Sequence, residues 1–291
     1  MVHTMINELA IGDSVNGVYL LRSAKKQQSK AGKDYLLATL EDNSGSIRCV
    51  AWNLSSEMDA EIGLPVLASG KVEEYQGGPQ ISLISLDPAP ANEVILPQIL
   101  PMAPISPEIL YHQVRTAISV IDDSDYRKLC EMIYDENRDA ILYAPASVKS
   151  HHAYLGGYLM HISSMLSTAN FAAAQYKCVN RSLLISAVLL HDIGKLRGYR
   201  FSTYGYAIGY TEQGRLLGHP AMGSRMISEA ALKLGLSNEK ILPLQNAVLH
   251  HHNNGDRAQE HCLEGKMLQM IDVLDSCASA GGPPAGRTNV A

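Results

Sequence analysis

Two spacings of apolar residues divide this chain. Between residues 12 and 88 the apolar positions come in short β-branched or aromatic runs: Val15 to Leu21, Tyr35 to Leu40, Ile47 to Trp52, Val66 to Val72 and Gln80 to Leu86. Gly-, Asn-, Asp- and Ser-rich breaks separate them, so each run predicts a β-strand. Asp42-Asn43-Ser44-Gly45 and Gln76-Gly77-Gly78-Pro79 are tight-turn sequences that make hairpins of their flanking runs. Strands this short leave open edges unless the sheet closes, so residues 1–90 predict a small all-β barrel, most economically an OB-fold.

Proline then punctuates the chain at Pro88, Pro90, Pro97, Pro101, Pro104 and Pro107. Proline fixes φ and removes a donor, so residues 91–107 predict a semi-rigid linker or strap. From Glu108 the spacing becomes helical: Leu110, Val114, Ile118 and Ile121, then Leu183, Leu184, Ala187 and Leu190, then Met226, Ala230 and Leu234, and finally Leu268, Ile271 and Leu274. Residues 108–280 therefore predict an all-α domain. The Gly- and Pro-rich end, residues 281–291, lacks the apolar content for a core and predicts a disordered tail.

Composition narrows the class. The chain has 291 residues, 46% apolar and 18% charged, with a net charge of −5, as in an ordinary soluble globular protein of two domains. Its apolar runs are too short to span a bilayer, and the first residues lack a basic stretch followed by an apolar core, so a cytoplasmic location without membrane association is expected. The five cysteines are scattered, which suggests neither a disulfide framework nor a thiolate zinc site.

The helical half carries the chemistry. His161, His191, Asp192, His219, His251, His252 and Asp272 sit on or at the ends of predicted helices. Imidazole nitrogen and carboxylate oxygen together suit a divalent transition metal. A lone His-Asp pair would say little, but an apolar run ending in His191-Asp192-Ile193-Gly194-Lys195 is harder to explain as packing. His161 shares a helix face with Tyr154, Tyr158 and Met165 and points inward. Asp272 lies in an apolar segment where an unpaired carboxylate would be costly, a cost that a cation removes. Asp192 has two oxygens and can bridge two ions. One or two ions per chain are expected, manganese first, with iron, cobalt or nickel as alternatives. The histidines at 250, 251 and 252 cannot all face one point on a helix, and His250 is the expected outsider. Asp275 is expected to be a partner to a ligand or a solvated residue.

Substrate groups are sought nearby. Lys195 could meet a phosphate oxygen in catalysis beside Asp192, or be an exposed helix-end lysine. His151 and His152 could touch substrate at a helix start, His152 lying across a continuous helix from His161. Arg215 and Arg225 flank His219 and could contact phosphate. In the barrel, Lys25, Lys26, Lys30 and Lys33 fall between the first two predicted strands, where a loop could grip a single strand. Tyr19, Tyr35, Trp52 and Tyr75 could stack on bases. Against this, residues 1–90 hold 7 basic and 11 acidic side chains.

The HD pair at 191 and 192, with upstream His161 and downstream Asp272, resembles the HD-domain metal-dependent phosphohydrolases. With an OB-like domain in front, the chain is similar over nearly its whole length to the bacterial YhaM-type 3′–5′ exoribonuclease family. The matching stretches are Ser150 to His161, Leu190 to Lys195, Tyr210 to His219 and Ile271 to Asp275. The aromatics Tyr199, Phe201, Tyr204, Tyr206 and Tyr210 depart from the family's pattern. The resemblance implies a metal-dependent 3′–5′ exoribonuclease acting on single-stranded RNA, with DNA and a homo-oligomer left open. The alternatives are an HD phosphohydrolase of free or cyclic nucleotides with a regulatory barrel, and a non-catalytic nucleic-acid binder with a structural metal.

Overall fold

The computed structural model describes residues 3–30, 32–52, 61–100, 102–148, 152–202, 204–205, 207–252 and 261–279. Two compact units form: Met1–Met102 with Phe201–Ile208, and Ala103–Arg200 with Gly209–Ala291.

The first unit is a closed barrel of β1 (Ser14–Gln28), β2 (Asp34–Asp42), β3 (Gly45–Ala51), β4 (Pro65–Tyr75) and β5 (Gly78–Pro88), in the order β1-β2-β3-β5-β4. This OB-like order matches the expected fold class. Every neighbouring pair is antiparallel except β3 with β5, whose parallel pairing of Arg48 with Gln80 and Val50 with Ser82 closes the sheet. Strand β1 is long enough to serve two partners: Ser14 to Leu20 pair with β4, and Leu20 to Gln28 with β2. Alternation sends Leu36, Ala38 and Leu40 of β2 and Ile47, Cys49 and Ala51 of β3 into one core with Tyr19 and Leu21. On β4, Gly70 lets the strands approach, since a Cβ there would lie 2.4 Å from the Ser82 carbonyl oxygen.

Both turn sequences make hairpins. Asn43 and Ser44 join β2 to β3, while Gln76 and Gly77 join β4 to β5 with φ of 53° and 81°. Asp42 ties the first hairpin down: its buried carboxylate accepts from Ser44 N (2.8 Å), Ser44 Oγ (2.6 Å), Gly45 N (3.1 Å) and Ile6 N (2.7 Å). The proline-rich stretch is more folded than a strap. It holds a 3-10 turn at Ala91–Glu93 and the short helix α1 (Leu96–Ile99), and Ile99 and Leu100 are buried. Proline fixes its own φ but leaves apolar neighbours free to pack.

The second unit is built on α2 (Pro107–Ser119), α3 (Ser124–Glu136), α4 (Arg138–Tyr143), α5 (Gly157–Gln175), α6 (Arg181–Leu190), α7 (Lys195–Gly198), α8 (Glu212–Leu234), α9 (Asn238–His250) and α10 (Leu263–Ala278). Between α7 and α8 in the chain comes a two-stranded sheet, β6 (Tyr199–Phe201) with β7 (Ala207–Tyr210), of which Phe201–Ile208 belong to the first unit. The aromatic run after the HD pair did not signal these strands. Helix α6 is apolar on all sides and every side chain from Ser182 to Leu190 is buried, as expected of a central helix. Asn180 caps it, accepting from Leu183 N at 3.1 Å. Among the described residues no helix is long and apolar enough to cross a membrane. The expected tail, residues 281–291, lies outside the described residues.

Candidate metal centre

The buried helix α6 ends by delivering His191 and Asp192 into the interior of the helical unit, both about fully buried. Four further elements converge on them. Helix α5 brings His161, the end of α9 brings His251 and His252, and α10 brings Asp272 and Asp275. His219 comes from a break in α8, where Gly218 takes φ 73° and ψ 157° just before Pro220. Proline cannot continue the hydrogen-bond ladder behind it, and glycine tolerates the left-handed turn this requires.

Asp192 stands at the middle with its oxygens facing two ways. Oδ2 lies 3.4 Å from His191 Nε2 and 3.8 Å from His161 Nε2. Oδ1 lies 3.1 Å from His219 Nε2 and 3.8 Å from His251 Nε2. On the Oδ2 side, His161 Nε2 is also 3.3 Å from His191 Nε2 and 3.4 Å from Asp272 Oδ1. On the other side, His219 Nε2 stands 3.4 Å from His251 Nε2 and 3.0 Å from His252 Nε2. Ligand atoms of His161, His191 and Asp192 are close enough to share one cation, and so are those of Asp192, His219, His251 and His252. His191 and Asp272 also form such a group with His251.

The ring orientations suit this. The Nδ1 atoms of His191 and His251 sit 2.9 and 2.7 Å from the carbonyls of Val188 and Val248, which accept from them. His161 Nδ1 sits 2.7 Å from Asp275 Oδ2. Each Nε2 is thereby left facing the centre, the arrangement metal-binding histidines usually show. The buried Asp192 Oδ1 accepts no hydrogen bond of good geometry, although His219 Nε2 stands 3.1 Å away. A divalent cation suits such an oxygen, and the N/O donor set suits a transition metal.

Electrostatics follow from the crowding. Burial disfavours the Asp192 carboxylate, yet Lys195 and His191 together hold its pKa well below the usual range. Burial also opposes charge on His161, but Asp272 and Asp275 outweigh it and raise its pKa to about 9. Asp272, despite burial, is held low by His161 and His191. Burial and then His191 push the His251 pKa well below its ordinary value, which keeps a lone pair available.

Several expected residues fall elsewhere. Lys195 is buried and its Nζ lies 2.5 Å from Asp192 Oδ2, so it is not an exposed helix-end lysine. His250 turns away and stacks on His261, with centroids 4.7 Å apart. His152 is buried rather than presented to substrate: α5 begins only at Gly157, and a left-handed bend at His152 places its ring 5.7 Å from that of His161. His151 lies outside the described residues. Arg225 pairs with Glu229 at 2.9 Å on the surface of α8, and Arg215 is exposed in its first turn. Asp275 was legible, lying one turn from Asp272 on the same face. The partnership of His152 was not, because no helical spacing relates it to His161.

In the barrel, Lys25 and Lys26 lie on β1, paired with Leu37 and Leu36, instead of in a loop. The strand outruns its apolar pattern because backbone pairing with β2 continues past the core. Lys30 and Lys33 are in the turn beyond, and all four lysines are exposed. Tyr35 and the 44% exposed Trp52 stand side by side with centroids 4.8 Å apart. Tyr19 is fully buried and donates to the Thr4 carbonyl at 2.9 Å, so it is a core residue and not a stacking platform. Tyr75 is exposed under the guanidinium of Arg48, 5.1 Å from its centroid.

A family model for the HD domain matches residues 158–277, the span holding every candidate ligand. The chain is similar to the 3′-5′ exoribonuclease YhaM of Halalkalibacterium halodurans, with 30% identity covering 91% of this chain and 84% of that protein. The protein of that name from Shouchella clausii is 29% identical over 91% and 84%, and the one from Listeria monocytogenes 27% over 92% and 87%. Among solved structures, the second OB-fold domain of replication protein A from Methanococcus maripaludis is 27% identical over 29% of this chain and 92% of that one, with a TM-score of 0.23.

Proposed function

The chain belongs to the YhaM family of 3′–5′ exoribonucleases, and from this premise we propose that its His–Asp centre hydrolyses phosphodiester bonds of single-stranded RNA from the 3′ end. The observation that carries the reading is Asp192, buried among two histidine sets with one oxygen toward each. His161, His191, Asp192 and Asp272 would hold one cation, and Asp192, His219, His251 and His252 a second, with manganese the ion we favour. When bound, such cations lower the pKa of water and neutralise charge on phosphate oxygens.

The chain's own residues do the rest. Val188, Val248 and Asp275 fix the rings of His191, His251 and His161, so the ligand geometry is set before substrate arrives. Lys195 pins Asp192 Oδ2 and places a positive charge beside the centre, where it also offsets phosphate charge. His252, 44% exposed on its side chain, and His219 form the solvent side, through which a strand end would enter. In the barrel, Tyr35 and Trp52 offer adjoining faces for bases, and Lys25, Lys26, Lys30 and Lys33 offer charge for the backbone. Acting on cellular RNA, the enzyme would work in the cytoplasm.

The test is incubation with Mn²⁺ and an end-labelled oligoribonucleotide beside a matching oligodeoxynucleotide and a panel of free and cyclic nucleotides. Progressive shortening of the oligoribonucleotide with release of mononucleotides is expected. Hydrolysis of the free nucleotides alone would replace this reading with a nucleotide phosphohydrolase.

A further inference from the structure

His152 holds a backbone that few side chains adopt. With φ at 49°, it and the hairpin residue Gln76 are the two non-glycine residues with positive φ among those described. In a non-glycine residue such a conformation costs energy and persists where the surroundings enforce it, which points to a functional constraint. The surroundings here do enforce it. Ala146 N donates to the His152 carbonyl at 3.1 Å, and Gly157 leaves room for that carbonyl, since a Cβ there would stand 2.0 Å from its oxygen.

The side chain is fixed at both ring nitrogens. Nδ1 lies 2.6 Å from the Tyr154 hydroxyl and Nε2 lies 3.0 Å from Asp275 Oδ2. That same oxygen lies 2.7 Å from His161 Nδ1. A carboxylate only accepts, so both imidazoles donate to it: His152 through Nε2–H and His161 through Nδ1–H. His152 Nδ1 is then the acceptor for the tyrosine hydroxyl. All four side chains are buried.

We propose that His152 is a positioning residue for the first cation site: held by Tyr154 and its left-handed backbone, it fixes Asp275, which in turn commits His161 Nδ1 and leaves His161 Nε2 facing His191, Asp192 and Asp272. This rests on the reading of His161 as a ligand. It assigns His152 to the inner support of the centre and removes it from the substrate path. Outer partners of metal-bound histidines matter because they fix tautomer and ring orientation, and losing one typically costs about 10–100-fold in metal affinity.

The experiment titrates metal-free protein with Co²⁺, following its visible absorption, and with Mn²⁺ by calorimetry, in a His219→Ala background that isolates the first site. His152→Ala is expected to weaken that site about 10-fold or more and to shift the cobalt spectrum. His152→Gln, whose amide can still donate to Asp275, is expected to recover most of the affinity. Tyr154→Phe, which deletes one hydroxyl, is expected to lose a few-fold and serves if His152→Ala does not fold, as judged by thermal unfolding of the metal-free proteins. Unchanged affinity and spectrum in folded His152→Ala or Tyr154→Phe overturns the proposal, as does His152→Gln behaving no better than His152→Ala. A third ion per chain in otherwise unmutated protein, lost with His152, also overturns it by making His152 a ligand. If the unmutated protein takes up no ion, the metal reading falls and the relay with it; uptake that ignores the relay variants overturns the relay alone.

Discussion

Replacing Gly194 by alanine would put a methyl group where the backbone of α8 already stands. The ideal Cβ falls 2.1 Å from the His219 carbonyl oxygen, 2.5 Å from Gly223 N and 3.0 Å from the His219 carbonyl carbon. These are backbone atoms with no rotamer to escape through, so the gap must widen by roughly an ångström before contact is tolerable. The conformation of Gly194 itself is ordinary, with φ at −64°, so space alone is at issue. His219 moves with its carbonyl, and its Nε2 now sits 3.1 Å from Asp192 Oδ1 and 3.0 Å from His252 Nε2. Metal–ligand distances tolerate only about 0.2 Å, so the second site should lose a ligand. Misplacement by about 1 Å can lower turnover on the order of 100-fold. The first set, on α5, α6 and α10, lacks this contact and should keep its ion. Elemental analysis is therefore expected to fall from two ions per chain toward one, with kcat on a short oligoribonucleotide down about 100-fold and a loss of about 1–3 kcal/mol in stability from overpacking. A folded Gly194→Ala protein with full metal content and normal turnover would show that this contact does not set the position of His219.

Asp42→Asn is expected to destabilise the barrel by about 1.5–3 kcal/mol, because an amide NH₂ must face a backbone donor that the carboxylate now accepts from. Although burial opposes it, hydrogen bonds from His3, Ser44 and Ile6 lower the Asp42 pKa below its ordinary 3.8. The carboxylate therefore contributes fully above about pH 4 and less as pH falls through the lower folded value, so the gap between the two proteins in thermal unfolding should be largest near neutrality and shrink in acid. A gap that grows as pH drops would contradict this. Replacing Lys25, Lys26, Lys30 and Lys33 together by alanine should raise KM for a long oligoribonucleotide while leaving turnover of a short one, and reduce the salt slope of binding by up to roughly 3. Equal binding at every salt concentration would remove the barrel from substrate capture.

Much of this centre could be seen in the sequence because its candidate ligands end or interrupt apolar runs. His191 and Asp192 close the buried α6, and Asp272 sits in the apolar face of α10, so periodicity alone placed them inside. The barrel was legible for the same reason: period-2 runs and two turn sequences leave few alternatives. What escaped depends on backbone geometry. His152 lies in an irregular segment, and no spacing rule relates it to a residue nine positions later when the helix begins between them. The strand position of Lys25 and Lys26 escapes the pattern because strand pairing continues beyond the core, where side-chain pattern carries no signal. Gly218 and Pro220 mark the kink that presents His219, but the tight approach of Gly194 beneath it is a tertiary fact. Lys195 gave no sign of burial, since its partner is the carboxylate three residues earlier and not an apolar face.

Whether Asp192 organises a metal centre performing stepwise 3′ hydrolysis is decided by one comparison. Otherwise unmutated protein and Asp192→Ala are loaded with Mn²⁺, assayed for bound metal, and given a 5′-labelled single-stranded oligoribonucleotide. A ladder shortening from the 3′ end, abolished by chelator, is expected in the first, and in the second neither ladder nor full metal content, with helical circular dichroism retained. Comparable shortening and metal content in Asp192→Ala, or internal cuts without 3′ shortening in the unmutated protein, would contradict it.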